Sequence, residues 1–174
     1  QRGFTLIEMM IALVIIALLA LLAAPMYGEM IANTEIRNAS ENILMGLRTA
    51  QGEAIRLNAP AKFVLDTTPG TGGWQVLVTD PDTNDFAADP WRSYAFTEGA
   101  RRTTSTATGG TEVTFNGLGQ IIHQDTAISQ VDITTSTISN PHNLRILVGT
   151  KAVAAGMKMC DPSYPSTDPV GCPT

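Results

Sequence analysis

Residues 9–24 contain no charged or polar side chain, and this run constrains the chain more than any other feature. As a helix, residues 4–24 span about 30 Å, the thickness of a bilayer's hydrocarbon core. The segment is therefore able to sit in a membrane. A competing reading is an ordinary secretory signal, whose cleavage site the small residues Ala20, Ala23 and Ala24 imitate weakly. The ionisable group inside the segment is Glu8. A carboxylate in an apolar membrane helix costs several kcal/mol unless it is paired or lies near the interface. Glu8 is thus expected to need a partner, the plainer alternatives being snorkelling from the helix end or protonation.

Pro25 follows the apolar run, and its missing N–H and bulky ring either kink the helix or end it. Gly28 adds flexibility just beyond. Continuation is favoured by Ile36, Ala39, Ile43, Leu47, Ala50 and Ala54, which recur every three or four residues as one apolar stripe. Asn58-Ala59-Pro60 supplies a stop. Helical character is therefore expected over residues 4–57, with a naked first half and a second half docked on a sheet.

After Pro60 the pattern changes to short β-like runs at 62–66, 74–79, 93–96, 112–115, 120–123, 130–134 and 144–148. Residues 70–73 predict a hairpin between the first two runs, and Asn116-Gly117-Leu118-Gly119 a tight connection between two later ones. The small-residue stretch 101–111 reads as a surface loop. The fold class is α+β, with a long N-terminal helix packed against a mostly antiparallel sheet and Trp74, Val76, Phe115, Ile133 and Ile146 as core candidates. At 174 residues the chain has room for one such head.

The net charge of −5 gives no general attraction to nucleic acid or anionic lipid. Cys160 and Cys172 flank a Pro-rich segment without CxxC spacing or neighbouring His, which favours a disulfide over a metal or redox pair and implies an oxidising compartment. Asp80-Pro-Asp-Thr-Asn-Asp alternates oxygen-bearing side chains as calcium loops do. However, Asp85 stands where an EF-hand needs Gly and Trp91 where it needs Glu, so a solvated turn is expected. His123 and His142 have no second ligand at fixed spacing. No Gly-x-Ser-x-Gly elbow or phosphate-cradling loop is present, and neither catalysis nor a cofactor or metal is expected.

The run Arg2-Gly3-Phe4-Thr5-Leu6-Ile7-Glu8 resembles the prepilin peptidase site of type IV pilins and type II secretion pseudopilins. The segments at 47–58, 73–78, 113–119 and 158–162 are similar to the GspH/FimT (FimT/FimU) branch of minor pilins and pseudopilins. The resemblance implies a ladle-shaped pilin fold, cleavage after Gly3 and methylation of Phe4. It implies that Glu8 meets the free amine of Phe4 on a neighbouring subunit. Residues 1–3 become a leader remnant, 4–29 the membrane and filament-core half of the helix, and 30–174 the head.

The implied partners are other pilins or pseudopilins, the prepilin peptidase, an inner-membrane assembly platform and, before assembly, the membrane. The implied location is the bacterial inner membrane with the head in the periplasm, then a filament. Some relatives of this kind take up DNA through an Arg-containing C-terminal loop. The corresponding stretch here holds Lys158 as its charge, and Arg101, Arg102 and Lys151 complete a modest candidate patch.

Overall fold

A computed structural model describes residues 3–83, 85–122, 127–149 and 156–173, the side chains of 22–25 excepted. Helix α1 runs Leu6–Leu57. It starts two residues later than the apolar run because Thr5 is extended (φ −83°, ψ 153°) and caps it through its side-chain oxygen. It stops where the sequence signals a stop. Asn58 adopts the left-handed conformation (φ 49°, ψ 38°), and the N–H groups of Asn58 and Ala59 return to Ile55 and Ala54 carbonyls before Pro60 blocks continuation. The axis turns by 42° between Leu6–Leu21 and Met26–Leu57, across the segment that holds Pro25. Among the described residues no single straight helix is long and apolar enough to cross a membrane, whereas this bent pair is, by length and composition.

The head contains β1 (Ala61–Asp66), β2 (Gly73–Val78), β3 (Arg92–Ala95), β4 (Thr103–Thr108), β5 (Glu112–Phe115), β6 (Ile121–Ile122), β7 (Gln130–Thr135), β8 (Leu144–Val148) and β9 (Met157–Cys160). They form two sheets where one was expected, ordered β3-β2-β1-β5-β6 and β4-β7-β8-β9. Every pairing between these strands is antiparallel. Both expected hairpins are present, β1 with β2 and β5 with β6.

The strand pattern differs from expectation in two places. The stretch 101–111 is not a loop throughout, because β4 pairs along β7 from Thr103↔Thr135 to Thr108↔Gln130. Its inward residues Thr103 and Ser105 are buried although polar, and Thr103 Oγ1 donates to the Ala100 carbonyl at 2.6 Å. β-Branched threonines suit a pleated strand as well as valines do. Met157–Cys160 also forms an edge strand, one that the β-like runs of the sequence do not include. The last expected residue of the 120–123 run, His123, lies outside the described residues.

The core lies between α1 and both sheets. The stripe residues Ile36, Ala39, Ile43, Leu47, Ala50 and Ala54 are fully buried, as are Val76, Phe115, Ile133 and Ile146, with Trp74 at 3% exposure. Phe63, Trp74 and Tyr94 stack in a row, with centroids 6.0 and 6.3 Å apart. Gly46 is what lets α1 approach this row: a Cβ there would lie 2.6 Å from Trp74 Cδ2 and 2.8 Å from Phe63 Cε2. The Cys160–Cys172 disulfide is formed and closes the C-terminal loop, where Lys158 Nζ donates to the Gly171 carbonyl at 3.4 Å.

Candidate assembly site

The half of α1 that precedes the head presents large apolar side chains to the surroundings on every face. From Leu6 to Leu21 their exposure ranges from 51% at Ile15 to 79% at Leu6. Docking begins at Ala32, which is 1% exposed, and from there only one stripe is buried. A helix apolar all round belongs in lipid or among other helices, and a helix apolar along one stripe belongs on a sheet. One uninterrupted element thus carries two different solvation patterns.

At its start, Thr5 Oγ1 accepts the Glu8 N–H at 3.4 Å. The spacing Thr5-x-x-Glu8 is that of a capping box, a signal present in the sequence that the resemblance alone does not use. Glu8 also lies in the first turn, at the positive end of the helix dipole. Burying an unpaired carboxylate in an apolar medium costs several kcal/mol. No ion pair to Glu8 occurs among the described residues. The Thr5 contact is made by the Glu8 backbone N–H and not by its carboxylate. Phe4 is 80% exposed at the end of the rod, and Gly3 has nothing within 4 Å of a Cβ built on it. Gly28 sits inside the second limb just past the bend.

Of the cations expected to contact nucleic acid, the described ones, Arg101, Arg102 and Lys158, are not gathered in one place. Arg102 is held against α1, its N–H donating to Glu35 Oε2 at 2.9 Å and its Nε lying 3.9 Å from Glu35 Oε1. Arg101 and Arg102 precede β4, while Lys158 is on β9, the opposite edge of the same sheet. Three interstrand gaps of about 4.8 Å separate those edges. Lys151 lies outside the described residues. The acidic loop is a closed turn: Asp80 Oδ1 accepts the Asp82 N–H at 2.8 Å, and Asp80 N–H donates to the Asp85 carbonyl at 2.8 Å. His142 uses its backbone N–H on Asn33 Oδ1 at 3.0 Å. Among the described residues no group of three His, Cys, Asp or Glu is arranged to hold a metal.

Comparison with known proteins agrees with this architecture. Residues 1–24 match the prokaryotic N-terminal methylation motif, and residues 39–151 match the profile of the family described as type II transport protein GspH. A fimbrial protein of Pseudomonas aeruginosa is 44% identical over 55 residues, which cover 32% of this chain and 35% of that protein. The type IV major fimbrial protein FimA of Dichelobacter nodosus is 34% identical over 86 residues, covering 41% of this chain and 54% of the relative. The chain thus spans between about a third and about half the length of the curated relatives it matches.

Two solved structures share the fold. The type IV minor pilin FimU of Pseudomonas aeruginosa superposes with a TM-score of 0.52 at 14% identity, over 75% of this chain and 91% of that one. The minor pseudopilin EpsH of the Vibrio cholerae type 2 secretion system gives 0.53 at 12% identity, over 75% and 99%. With the family profile covering residues 39–151, well over half the chain, this protein belongs to the GspH family and is a pilin-like or pseudopilin-like subunit.

Proposed function

We propose that this chain is a minor pilin of a type IV pilus, held by α1 in the bacterial inner membrane until it co-assembles near the filament tip and helps to initiate the fibre. The observation that carries the reading is the continuity of α1, naked and apolar over Leu6–Leu21 and docked from Ala32 onward. A continuous connection of this kind lets a head ride on a rod that moves from lipid into a bundle of like rods. In this reading the prepilin peptidase cuts after Gly3, Phe4 is methylated, an inner-membrane platform extrudes the subunit, and the Glu8 carboxylate meets the Phe4 amine of a neighbour. The matched fimbrial relatives support the pilus over other filaments.

The test is incorporation of full-length Glu8→Ala and Glu8→Gln subunits into sheared filaments, read by immunoblot. Both are expected to be depleted. Gln keeps the capping spacing but lacks the charge, so its depletion separates ion pairing from helix capping. Parental incorporation of Glu8→Ala overturns the reading. Mass spectrometry of filament-derived protein is expected to find N-methylated Phe4 as the first residue. The family description favours a second reading, a minor pseudopilin of a type II secretion system. A deletion strain that loses exoprotein secretion but keeps its pili selects it.

A further inference from the structure

The head meets α1 just past the apolar run. Gly28 and Glu29 of the helix, Arg102 at the entry to β4, and Thr137, Ile138 and Ser139 of the segment leaving β7 line a cleft of about 320 Å³. Arg102 is pinned there through its backbone, its N–H donating to Glu35 Oε2 at 2.9 Å and its carbonyl accepting the Thr135 hydroxyl at 2.6 Å. Its guanidinium has little of its own. It makes no hydrogen bond among the described residues, its Nε stands 3.9 Å from Glu35 Oε1, and the side chain is 49% exposed. A guanidinium offers five N–H donors in a planar fork that matches a phosphate. On the helical wall Gly28 contributes no side chain, and Glu29 is exposed and in no ion pair among the described residues.

The depth of the cleft says what reaches it. With residues 4–24 spanning the hydrocarbon, Gly28 stands about 6 Å beyond its edge, inside the roughly 5–8 Å that the headgroup layer occupies on each side. The flanking helix suits that depth: Met26, Tyr27 and Met30 are all exposed, and a tyrosine favours the level where its ring is apolar and its hydroxyl wet. The charges around the cleft are balanced. Arg101, exposed and in no ion pair among the described residues, and Arg102 stand against Glu29 and Glu35, so a lipid of net negative charge gains nothing from the sum. The cleft instead presents a phosphate-seeking guanidinium and a carboxylate that lacks a cation.

We infer that this cleft seats the headgroup of a zwitterionic phospholipid bearing a primary ammonium, its phosphate on Arg102 and its ammonium on Glu29. The inference rests on the reading of α1 as a membrane anchor and adds to it a lipid site under the head, one that must empty when the subunit leaves for a filament. A phosphocholine headgroup has the same net charge but no N–H to donate to Glu29, and a phosphoglycerol headgroup carries no cation for it. Both are therefore the poorer occupants.

The experiment reconstitutes the full-length chain into nanodiscs of equal parts phosphoethanolamine, phosphocholine and phosphoglycerol lipids with the same acyl chains, and counts the lipids it retains by native mass spectrometry. Phosphoethanolamine lipid is expected to be retained about three- to fivefold over either competitor, the worth of an exposed ion pair. Glu29→Gln and Arg102→Gln are each expected to erase that preference. Glu29 is exposed, and Arg102→Gln keeps both backbone contacts at position 102, so the head should stay folded, as its tryptophan fluorescence checks. Loss in Glu29→Gln alone would mean a surface carboxylate attracting ammonium without a cleft, and it overturns the inference. So does equal retention of the three lipids, a preference for phosphoglycerol lipid, or a preference that survives Glu29→Gln. A chain that enters the discs and shows no preference has lost the site and kept its anchor, whereas a chain that does not enter them has lost both.

Discussion

Gly46→Ala is expected to destabilise the head even though alanine is the better helix former. At an exposed helical position the exchange gains about 0.8–1.0 kcal/mol. At Gly46 the new methyl would lie 2.6 Å from Trp74 Cδ2 and 2.8 Å from Phe63 Cε2, against an optimum carbon–carbon separation of about 3.5–4.0 Å. Neither ring has room to retreat. Phe63 is fully buried, Trp74 is 3% exposed, and Trp74 stacks between Phe63 and Tyr94. Relief requires α1 to lift from the sheet by about 1 Å, which loosens Ile43 and Leu47 on the same stripe. Overpacking of this kind costs about 1–3 kcal/mol, so the net change is a loss of about 1 kcal/mol. Gly52 is the internal control, because it lies in the same helix, is exposed, and has nothing within 4 Å of the point where a methyl would stand. Gly52→Ala should therefore gain nearly the full propensity term. Guanidinium unfolding of the detergent-solubilised full chain, followed by tryptophan fluorescence, reads both midpoints. A Gly46→Ala variant as stable as Gly52→Ala would refute the argument, since it would mean that the helix and the aromatic row are not in close contact.

Replacing both Cys160 and Cys172 by Ser opens a loop with a sequence separation of 12 and is expected to cost about 3 kcal/mol in the same unfolding assay. Ile43→Ala removes a fully buried side chain and should cost about 2–5 kcal/mol. Ile16→Ala, at a position 62% exposed, should leave the unfolding midpoint of the head unchanged and act on assembly instead. Asp66 Oδ1 accepts from the Thr68 hydroxyl at 2.6 Å and from its N–H at 2.9 Å, which holds the carboxyl below its ordinary value. A lowered folded-state value stabilises above the unfolded-state pKa of about 3.9 and is lost as pH falls through the folded one. Asp66→Asn is accordingly expected to be less stable than the parent at neutral pH, the gap closing in acid below that value, as read by unfolding midpoints across a pH series.

Where the sequence was legible, the reason is periodicity. The stripe from Ile36 to Ala54 and the core residues Trp74, Val76, Phe115, Ile133 and Ile146 repeat with the spacing of the elements they occupy, and all are buried. The helix stop was legible for a different reason, since Asn58 tolerates the left-handed conformation and Pro60 cannot continue a helix. β4 was hidden because Thr-Thr-Ser-Thr-Ala-Thr offers no contrast between its two faces, and only pairing with β7 distinguishes Thr103 and Ser105 from their neighbours. The division into two sheets was equally invisible, as strand order depends on long-range pairings that leave no local trace. At the assembly site, Glu8 stood out because it is charged in an apolar run. The capping role of Thr5 did not, because a threonine beside such a run attracts no notice on its own.

On the filament reading, the two limbs of α1 are held by different physics, and this explains why so much should depend on Glu8. The docked limb is stabilised by removing its stripe from water, a contribution that each of Ile36, Ile43 and Leu47 supplies without regard to direction. The naked limb gains nothing comparable when it moves from lipid to a bundle of similar helices, because acyl chains are as apolar as leucine side chains. Packing and polar pairing are what remain to favour the bundle. Within residues 4–24 the polar side chains are Thr5 and Glu8, and Thr5 is already used in capping. The choice between lipid and neighbour, and the axial register at which neighbouring rods stop sliding, must then fall largely on the Glu8 side chain.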